Sequence, residues 1–426
     1  MVMISKNFNR LIKSGFFHIF GSNTINQIVN FAYGILIVRV ISKEEYGIFS
    51  YASNIYSMLM LLSGFGIVSA ILQVASEFSG KGRNPASLLQ YGYRFGIKFN
   101  IGLSFLILLI ALLIPLPIIG SNRILGMMFL LPVPMIIKDL QIVWLRANLQ
   151  NKAFGTANTV NAVLVSLFTL LGAWLLKNNG IVIGQYLAVF IMLWMLWKRY
   201  DVPLIGAEED LPLQDKKDLF TIAGISTLNN ALSQMLTLLG TFMLGLIISN
   251  PVMIASYKVA SAIPMALNFI PSALMVYLYP YFARNRHNKA WVKSKYKTIL
   301  LFAGMANLFI SIIGIVFAEQ IIRIIFGDSY SDATLPFQVL MGSYFISGTF
   351  RTISGNLLVT QRKLKVNTVN GIVGAVVSIV MNAILIPGRG SMGAAISYLI
   401  TMIITSLIAV YYFSAAINEI GVEQVL

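Results

Sequence analysis

Four amide side chains recur at helical spacing within a long apolar stretch near the start of the chain. Asn23, Asn26, Gln27 and Asn30 occupy positions i, i+3, i+4 and i+7 of this stretch, residues 14–41. On a helix they form one stripe, and the stretch is long enough to cross a bilayer core of about 30 Å. Amides can bind hydroxyl groups such as those of sugars, or hold neighbouring membrane helices together. Because an unpaired amide facing lipid is costly, we expect the stripe to line a polar cavity.

The same spacing returns 207 residues later. Asn230, Ser233, Gln234 and Thr237 each follow their counterpart in the first stripe by this offset. The segment GIFSYASNI (47–55) also resembles ASYKVASAI (255–263). This pattern predicts two related halves, and we expect Asn230 and Gln234 to line the cavity with the first four amides.

Four charged residues fall inside other apolar runs: Lys138, Asp139, Lys258 and Arg351. A charge at mid-bilayer costs at least about 2.5–3.5 kcal/mol, so such residues usually face the interior of a helix bundle. Three cations and one carboxylate would suit an anionic group such as a phosphate. The alternative is structural: Lys138 pairs with Asp139, Lys258 extends to the interface, and Arg351 binds backbone carbonyls.

Two further sets of charges lie near the ends of apolar runs. Arg94 and Lys98, at i and i+4, are placed to receive a phosphate at the cytoplasmic side, or are ordinary positive-inside residues. Coupling to a proton or sodium gradient would need a titratable carboxylate. Asp139 is the first candidate for that role, because burial raises the pKa of a carboxyl group, and Glu77 is the second.

The composition indicates a multi-span membrane protein, with 57% hydrophobic and 11% charged residues. Most of the excess positive charge lies in short loops, which indicates topology rather than a nucleic-acid surface, and places both termini in the cytoplasm. Zero Cys and two His exclude a cysteine nucleophile and a thiolate metal site. Twelve apolar runs predict an all-α protein with twelve transmembrane helices: 14–41, 46–72, 88–116, 122–147, 155–176, 180–198, 219–248, 252–282, 298–318, 333–360, 366–386 and 392–414.

The longest polar segment divides these runs into two sets of six. We therefore expect an N-terminal six-helix bundle over 1–200, a cytoplasmic linker over 201–218, and a C-terminal six-helix bundle over 219–426. No Gly-rich phosphate loop of the nucleotide-binding type is present in the sequence. The sequence thus predicts no cofactor, and any energy would come from an ion gradient or from consumption of a product.

Several stretches resemble the polysaccharide repeat-unit flippases of the multidrug/oligosaccharidyl-lipid/polysaccharide (MOP) exporter superfamily. They are residues 39–71, 326–340 and 360–400. In the last of these, Gly390, Gly393, Ala394 and Ala395 match a Gly-rich turn and Gly-Ala-Ala motif of the family. The resemblance implies two six-helix bundles in a V shape around a central cavity, and alternating access for a lipid-linked oligosaccharide. It supplies no invariant catalytic motif.

These observations predict a non-enzymatic flippase in the bacterial cytoplasmic membrane. Its cargo would be an undecaprenyl-diphosphate-linked oligosaccharide for a surface polysaccharide such as O-antigen. Its partners would be membrane lipid and the polysaccharide polymerase and chain-length machinery. A drug/cation antiporter of the same superfamily is the first alternative, although its cargo would favour several cavity carboxylates. A membrane glycosyltransferase or polymerase is the second, and would usually need a larger outer loop.

Overall fold

The computed structural model describes residues 16–80, 86–200, 202 and 211–420. All regular structure in this part of the chain is helical, with no β-strand. The chain divides into two compact units between Ala231 and Leu232. The predicted cytoplasmic ends, 1–15 and 421–426, and most of the predicted linker lie outside the described residues. The division falls within a helix, and Leu219 and Ala223 of that helix belong to the core of the N-terminal unit.

The N-terminal unit contains seven helices and the first part of an eighth within the described ranges. A short 3₁₀ segment, Ser63–Gly66, separates the second helix from the third. The helices are α1 (Phe16–Val40), α2 (Lys43–Met60), α3 (Ile67–Gly80), α4 (Ala86–Leu113), α5 (Ser121–Met127), α6 (Pro132–Ala147), α7 (Asn151–Tyr200) and α8 (Leu213–Ile248).

The C-terminal unit takes the rest of α8 and seven further helices. Its helical run from residue 334 to 360 contains one π-helical turn, Ser347–Arg351. The helices are α9 (Pro251–Leu267), α10 (Phe269–Arg284), α11 (Lys289–Val316), α12 (Ala318–Phe326), α13 (Thr334–Ile346), α14 (Thr352–Thr360) and α15 (Leu364–Glu419).

The two longest helices are hairpins rather than rods. In α7 the backbone leaves helical geometry at Leu176 and Lys177, and a Cβ on Gly172 would fall 2.0 Å from the Gly180 carbonyl oxygen. In α15 the break is at Gly390, with a φ of 52°. Each arm of α7 remains long enough to cross a bilayer core, at about 1.5 Å per residue.

Helical structure is present in each of the twelve predicted runs. By length and composition, six described helices can each cross a membrane, or eight if each of two bent pairs counts as one span. The two pairs bend by 41° and 52°, at residues 60–63 and 127–132 respectively. α1 does not meet that criterion, because its amides lower its mean hydropathy. The count of twelve spans and their arrangement in two bundles remain a prediction.

A capping box starts α2 and connects it to the α7 hairpin turn. The Ser42 hydroxyl accepts a hydrogen bond from the Glu45 amide, and the Glu45 carboxylate accepts one from the Ser42 amide. Lys177 at the turn of α7 forms an ion pair of 2.9 Å with Glu45, and Asn178 donates to the Glu45 carbonyl. The same glutamate therefore caps the N-terminus of α2 and fixes the turn of the α7 hairpin.

A buried asparagine holds the break between α2 and α3. Gly64, Phe65 and Gly66 have φ values of 55°, 47° and 73°. Asn100 of α4 accepts a hydrogen bond from the Gly64 amide at 2.7 Å, and donates to the Pro132 carbonyl at 2.7 Å. One side chain thus satisfies the backbone groups that two breaks leave without helical partners.

Replacing Asn100 by Ala should lower the thermal stability of the detergent-purified protein. It would leave two buried backbone groups without partners, at about 1–3 kcal/mol for each unpaired group. The measurement is the apparent melting temperature from loss of the monodisperse chromatographic peak. Asn356→Ala is the matched control, because exposed Asn356 donates only to Thr352 of its own helix. Equal melting temperatures for the two variants would contradict this role for Asn100.

Candidate functional site

The amide stripe of α1 lies on an exposed face of the helix. Asn23, Gln27 and Asn30 are exposed, and Asn26 is half-buried. The oxygen of the Asn26 side chain is buried and has no hydrogen-bond partner. The helix packs against α7, and the buried residue Ile37 lies on the same helical face as Asn30, seven residues before it. Asn23, Gln27 and Asn30 nevertheless stay exposed beside this contact.

The opposite exposed face of α1 is apolar. Ile25, Ile28 and Leu36 are 46%, 62% and 48% exposed. At about 100° per residue, they lie across the helix from Asn23, Gln27 and Asn30. Two exposed faces of opposite polarity suit a helix that meets acyl chains on one side and a polar environment on the other.

The second stripe has a similar arrangement on α8. Asn230, Ser233 and Gln234 are exposed, and Thr237 is half-buried with its hydroxyl donating to the Gln234 carbonyl. Exposed Ile225 and Leu228 lie on the far side of the same helix. Both repeats thus present amides on an exposed face that is separate from their exposed apolar side chains.

Lys138 and Asp139 form a local ion pair, which is the structural alternative considered above. The Lys138 ammonium lies 3.2 Å from the Asp139 carboxylate, with Lys138 buried and the Asp139 side chain 45% exposed. The guanidinium of Arg146, seven residues after Asp139, lies over the Phe154 ring at 5.4 Å. The charge of Lys138 is therefore already compensated within the N-terminal unit.

The other predicted charges of the N-terminal unit lie on its surface. Arg94 and Lys98 are exposed on α4, and Glu77 is exposed near the end of α3. Lys98 forms no ion pair with Asp139 within the described residues. The part of Arg94, Lys98 and Glu77 in binding or coupling remains a prediction.

The C-terminal unit contains a small open cleft of about 10 Å³, which is room for about one water molecule. The cleft lies where α9 ends, with Pro264 inside the helix and Asn268 at its end. Helices α9, α13 and α15 pack on one another here. Its walls combine hydroxyl, amide and apolar groups from Ser261, Pro264, Met265, Asn268, Leu340, Tyr344, Ser347 and Tyr398.

Lys258 and Arg351 do not line the cleft themselves, but each shares a helical face with residues that do. Lys258 precedes Ser261, Met265 and Asn268 by three, seven and ten residues, so it shares their face of α9. Arg351 follows Ser347 by one π-helical turn. Both side chains are half-buried, and neither forms an ion pair with a carboxylate of the described chain.

The π-helical turn shapes the Arg351 side of the cleft. The Thr352 amide donates to the Ser347 carbonyl, five residues back, instead of to the carbonyl four residues back. The buried Nε of Arg351 has no hydrogen-bond partner, and the guanidinium lies within electrostatic range of Tyr398. A buried guanidinium nitrogen without an acceptor is the arrangement in which a bound anion would be stabilised.

Sequence reasoning missed the uncharged members of this cleft. Tyr344, Tyr398, Ser261 and Asn268 look like ordinary span residues, since their relation depends on packing between helices distant in sequence. A signal was available for one supporting residue: Asn307, which hydrogen-bonds to Tyr344, follows Asn100 by the same 207 residues that separate the amide stripes.

The fold is that of MOP-superfamily transporters. An inward-facing multidrug-resistance transporter of the MATE family matches with a TM-score of 0.74 at 12% identity, covering 93% of this chain and 95% of its own. The lipid II flippase MurJ, in an inward closed conformation, matches with a TM-score of 0.71 at 13% identity, over 95% and 90%. A MOP-superfamily transporter from Pyrococcus furiosus matches with a TM-score of 0.62 at 11% identity, over 96% of each chain.

The sequence itself assigns the family. A family model described as "Polysaccharide biosynthesis protein" matches residues 36–335, so the chain belongs to this family of polysaccharide biosynthesis proteins. A comparison with curated proteins finds no significant match. Together with the fold, the family confirms the resemblance to polysaccharide flippases of the MOP superfamily that the sequence motifs indicated.

Asp139→Asn should destabilise the protein more than the double variant Lys138→Met/Asp139→Asn. The single change leaves a buried ammonium without its carboxylate, whereas the double change removes both charges. Because the Asp139 side chain is 45% exposed, we expect a difference of only about 1 kcal/mol. Apparent melting temperatures in detergent measure it. A double variant no more stable than Asp139→Asn would show that the pair does not compensate Lys138.

Proposed function

We propose that this protein is a flippase for an undecaprenyl-diphosphate-linked oligosaccharide. It would move this lipid from the inner to the outer leaflet of a bacterial cytoplasmic membrane by alternating access, with both of its own termini cytoplasmic. The observation that carries the proposal is the pair Lys258 and Arg351, two embedded cations beside the cleft of the C-terminal unit that have no carboxylate partner among the described residues. Membership of a polysaccharide biosynthesis family and a fold shared with the lipid II flippase MurJ support it.

The charge balance of the cleft fits a diphosphate. A diphosphate loses strong hydration when it enters a membrane, and positively charged donors can replace the lost water. Lys258 and Arg351 supply two positive charges, and a guanidinium can bind two phosphate oxygens at once. Lys138 contributes less, because its charge is already paired with Asp139. Arg94 and Lys98 would form an exposed first contact for the head group.

Uncharged polar groups would bind the sugars. Asn23, Asn26, Gln27 and Asn30 of α1, with Asn230 and Gln234 of α8, offer amide donors and acceptors on exposed faces. Ser261, Asn268 and the two tyrosines of the cleft offer further hydroxyl and amide groups. The polyprenyl chain would remain in the bilayer, beside exposed apolar side chains such as Ile28 and Leu36.

The energy source is proposed to be an ion gradient. Asp139 is the first candidate for coupling, because it is a half-exposed carboxylate beside a buried lysine, and Glu77 is the second. Protonation of Asp139 would leave Lys138 uncompensated, so proton binding would alter the local charge balance by one unit. Polymerase and chain-length proteins would receive the product, as an O-antigen type of pathway requires.

A drug/cation antiporter is the main competing function, since a multidrug-resistance transporter shares the fold. A cationic cargo would meet repulsion from Lys258 and Arg351, because their charges are not balanced by carboxylates of the described chain. The cleft is therefore better suited to an anion. Transport of a cationic dye by reconstituted protein, without transport of a lipid diphosphate, would favour the antiporter.

Arg351→Ala and Lys258→Ala should each abolish transport in the source cell. With its own gene deleted, the cell would express each variant, and surface polysaccharide would be scored against the amount of variant in the membrane. Arg323→Ala is the control, because Arg323 is exposed and paired with Asp328 at 2.6 Å. Full surface polysaccharide with both cleft variants would refute the diphosphate assignment.

Asp139→Asn should remove the dependence of transport on the coupling gradient. Proteoliposomes containing a fluorescent lipid-linked oligosaccharide would be assayed with and without imposed proton or sodium gradients. We expect the variant to lose the gradient-stimulated rate and to keep a slow gradient-independent rate. Glu77→Gln provides the comparison for the second candidate. Unchanged gradient dependence in Asp139→Asn would remove Asp139 from the coupling role.

A further inference from the structure

Two buried asparagines occupy equivalent positions in the two halves of the chain. Asn100 and Asn307 are 207 residues apart, and each is followed four residues later by a buried serine, in NIGLS and NLFIS. Asn100 is 0% exposed and Asn307 is 2% exposed. The offset is that of the amide stripes, so the asparagine belongs to the duplicated pattern.

Each asparagine joins its own helix to another helix of the same unit that carries an embedded lysine or arginine. In the N-terminal unit, Asn100 contacts the break before α3 and the first residue of α6, the helix that carries Lys138. In the C-terminal unit, Asn307 of α11 accepts a hydrogen bond from the Tyr344 hydroxyl at 2.8 Å. Its amide nitrogen donates to the Thr349 hydroxyl at 3.1 Å.

One of the two partners of Asn307 lines the cleft, and the other lies in the π-helical turn beside it. Tyr344 lines the cleft, and Thr349 lies in the π-helical turn, two residues before Arg351. The space around this turn is closed, because a Cβ on Gly348 would lie 3.3 Å from both the Asn307 amide and Pro271. Asn307 therefore contacts the wall of the cleft and the turn that sets the direction of Arg351.

A π-helical turn needs support from its surroundings, since isolated helices favour the α form. Conversion of Ser347–Arg351 to α geometry would rotate Arg351 relative to Ser347 and move it away from its present position. We propose that Asn307 is a positioning residue, which holds the π-helical turn through Thr349 and thereby keeps Arg351 beside Tyr398 of the cleft. This inference rests on the proposed function for its ligand, although not for its geometry.

The geometry can be tested without any ligand, because the chain contains no cysteine. Ser347→Cys places a single thiol in the π-helical turn at the cleft, and its rate of modification by a small methanethiosulfonate reports the local structure. Adding Thr349→Val or Asn307→Ala should change this rate by about threefold or more, the ratio for one interhelical hydrogen bond in a membrane. Adding Asn100→Ala, in the other unit, should leave it within twofold.

Thr349→Val keeps the side-chain volume, so this variant can test the same hydrogen bond if the Asn307→Ala protein does not fold. Tyr344→Phe separates the other contact, because it removes only the hydroxyl that donates to Asn307. If Ser347→Cys and Ser347→Cys/Thr349→Val are modified at equal rates, the positioning role is overturned, whatever the protein transports.

Binding of inorganic pyrophosphate to the purified protein tests the connection to Arg351. As a single substitution, Thr349→Val should weaken pyrophosphate binding about threefold. Added to Arg351→Gln, it should not weaken binding further. Lys258 is unchanged in both backgrounds and keeps binding measurable. An equal loss in both backgrounds would show that Thr349 does not act through Arg351 and would overturn the inference. Absence of pyrophosphate binding in the unsubstituted protein would refute the diphosphate proposal, and the modification rates would then decide the positioning role.

Discussion

The cost of placing polar groups in a low-dielectric environment governs this molecule. A charge or an unpaired amide facing lipid is unfavourable, so each must find a partner, reach water or serve a ligand. The chain uses each solution. Lys138 pairs with Asp139, Asn100 satisfies backbone groups at two helix breaks, and Arg351 retains a buried nitrogen without an acceptor. The last of these is the least stable arrangement, and therefore the one most in need of a functional explanation.

Both units contain interrupted helices and embedded cations, but they differ in whether those cations have a carboxylate partner. Both interrupt their second apolar run, and in both an asparagine of the next long helix hydrogen-bonds to the helical segment that carries an embedded cation. In the N-terminal unit the cation has a neighbouring carboxylate, whereas in the C-terminal unit Lys258 and Arg351 have none among the described residues. The asparagine thus recurs at the 207-residue offset, whereas its hydrogen-bond partners and the charges differ between the units. That asymmetry is what a carrier of an anionic head group would require.

Local pattern predicted much of this arrangement. The continuous apolar runs located the helices, the helical spacing of the amides identified a polar face, and the isolated charges identified the positions where burial is expensive. The pairing of Lys138 with Asp139 remained one of two alternatives, because adjacency permits a contact without requiring it. The cleft could not be predicted, since Tyr344 and Tyr398 are 54 residues apart and meet only through packing of α13 on α15. The π-helical turn was also inaccessible, because it depends on a hydrogen bond from another helix.

The glycine contacts in α7 and α15 have a consequence for how the protein is made. Gly172 against Gly180, and Gly393 against Leu385, bring the two arms of each hairpin to backbone contact directly beside the turn. A turn this short leaves little polar chain to carry across the bilayer on its own. The two arms of each hairpin are therefore suited to insert into the membrane together during synthesis, as one helical hairpin. A bulkier residue at one of these glycines would impair membrane insertion of the hairpin before it could affect the folded protein.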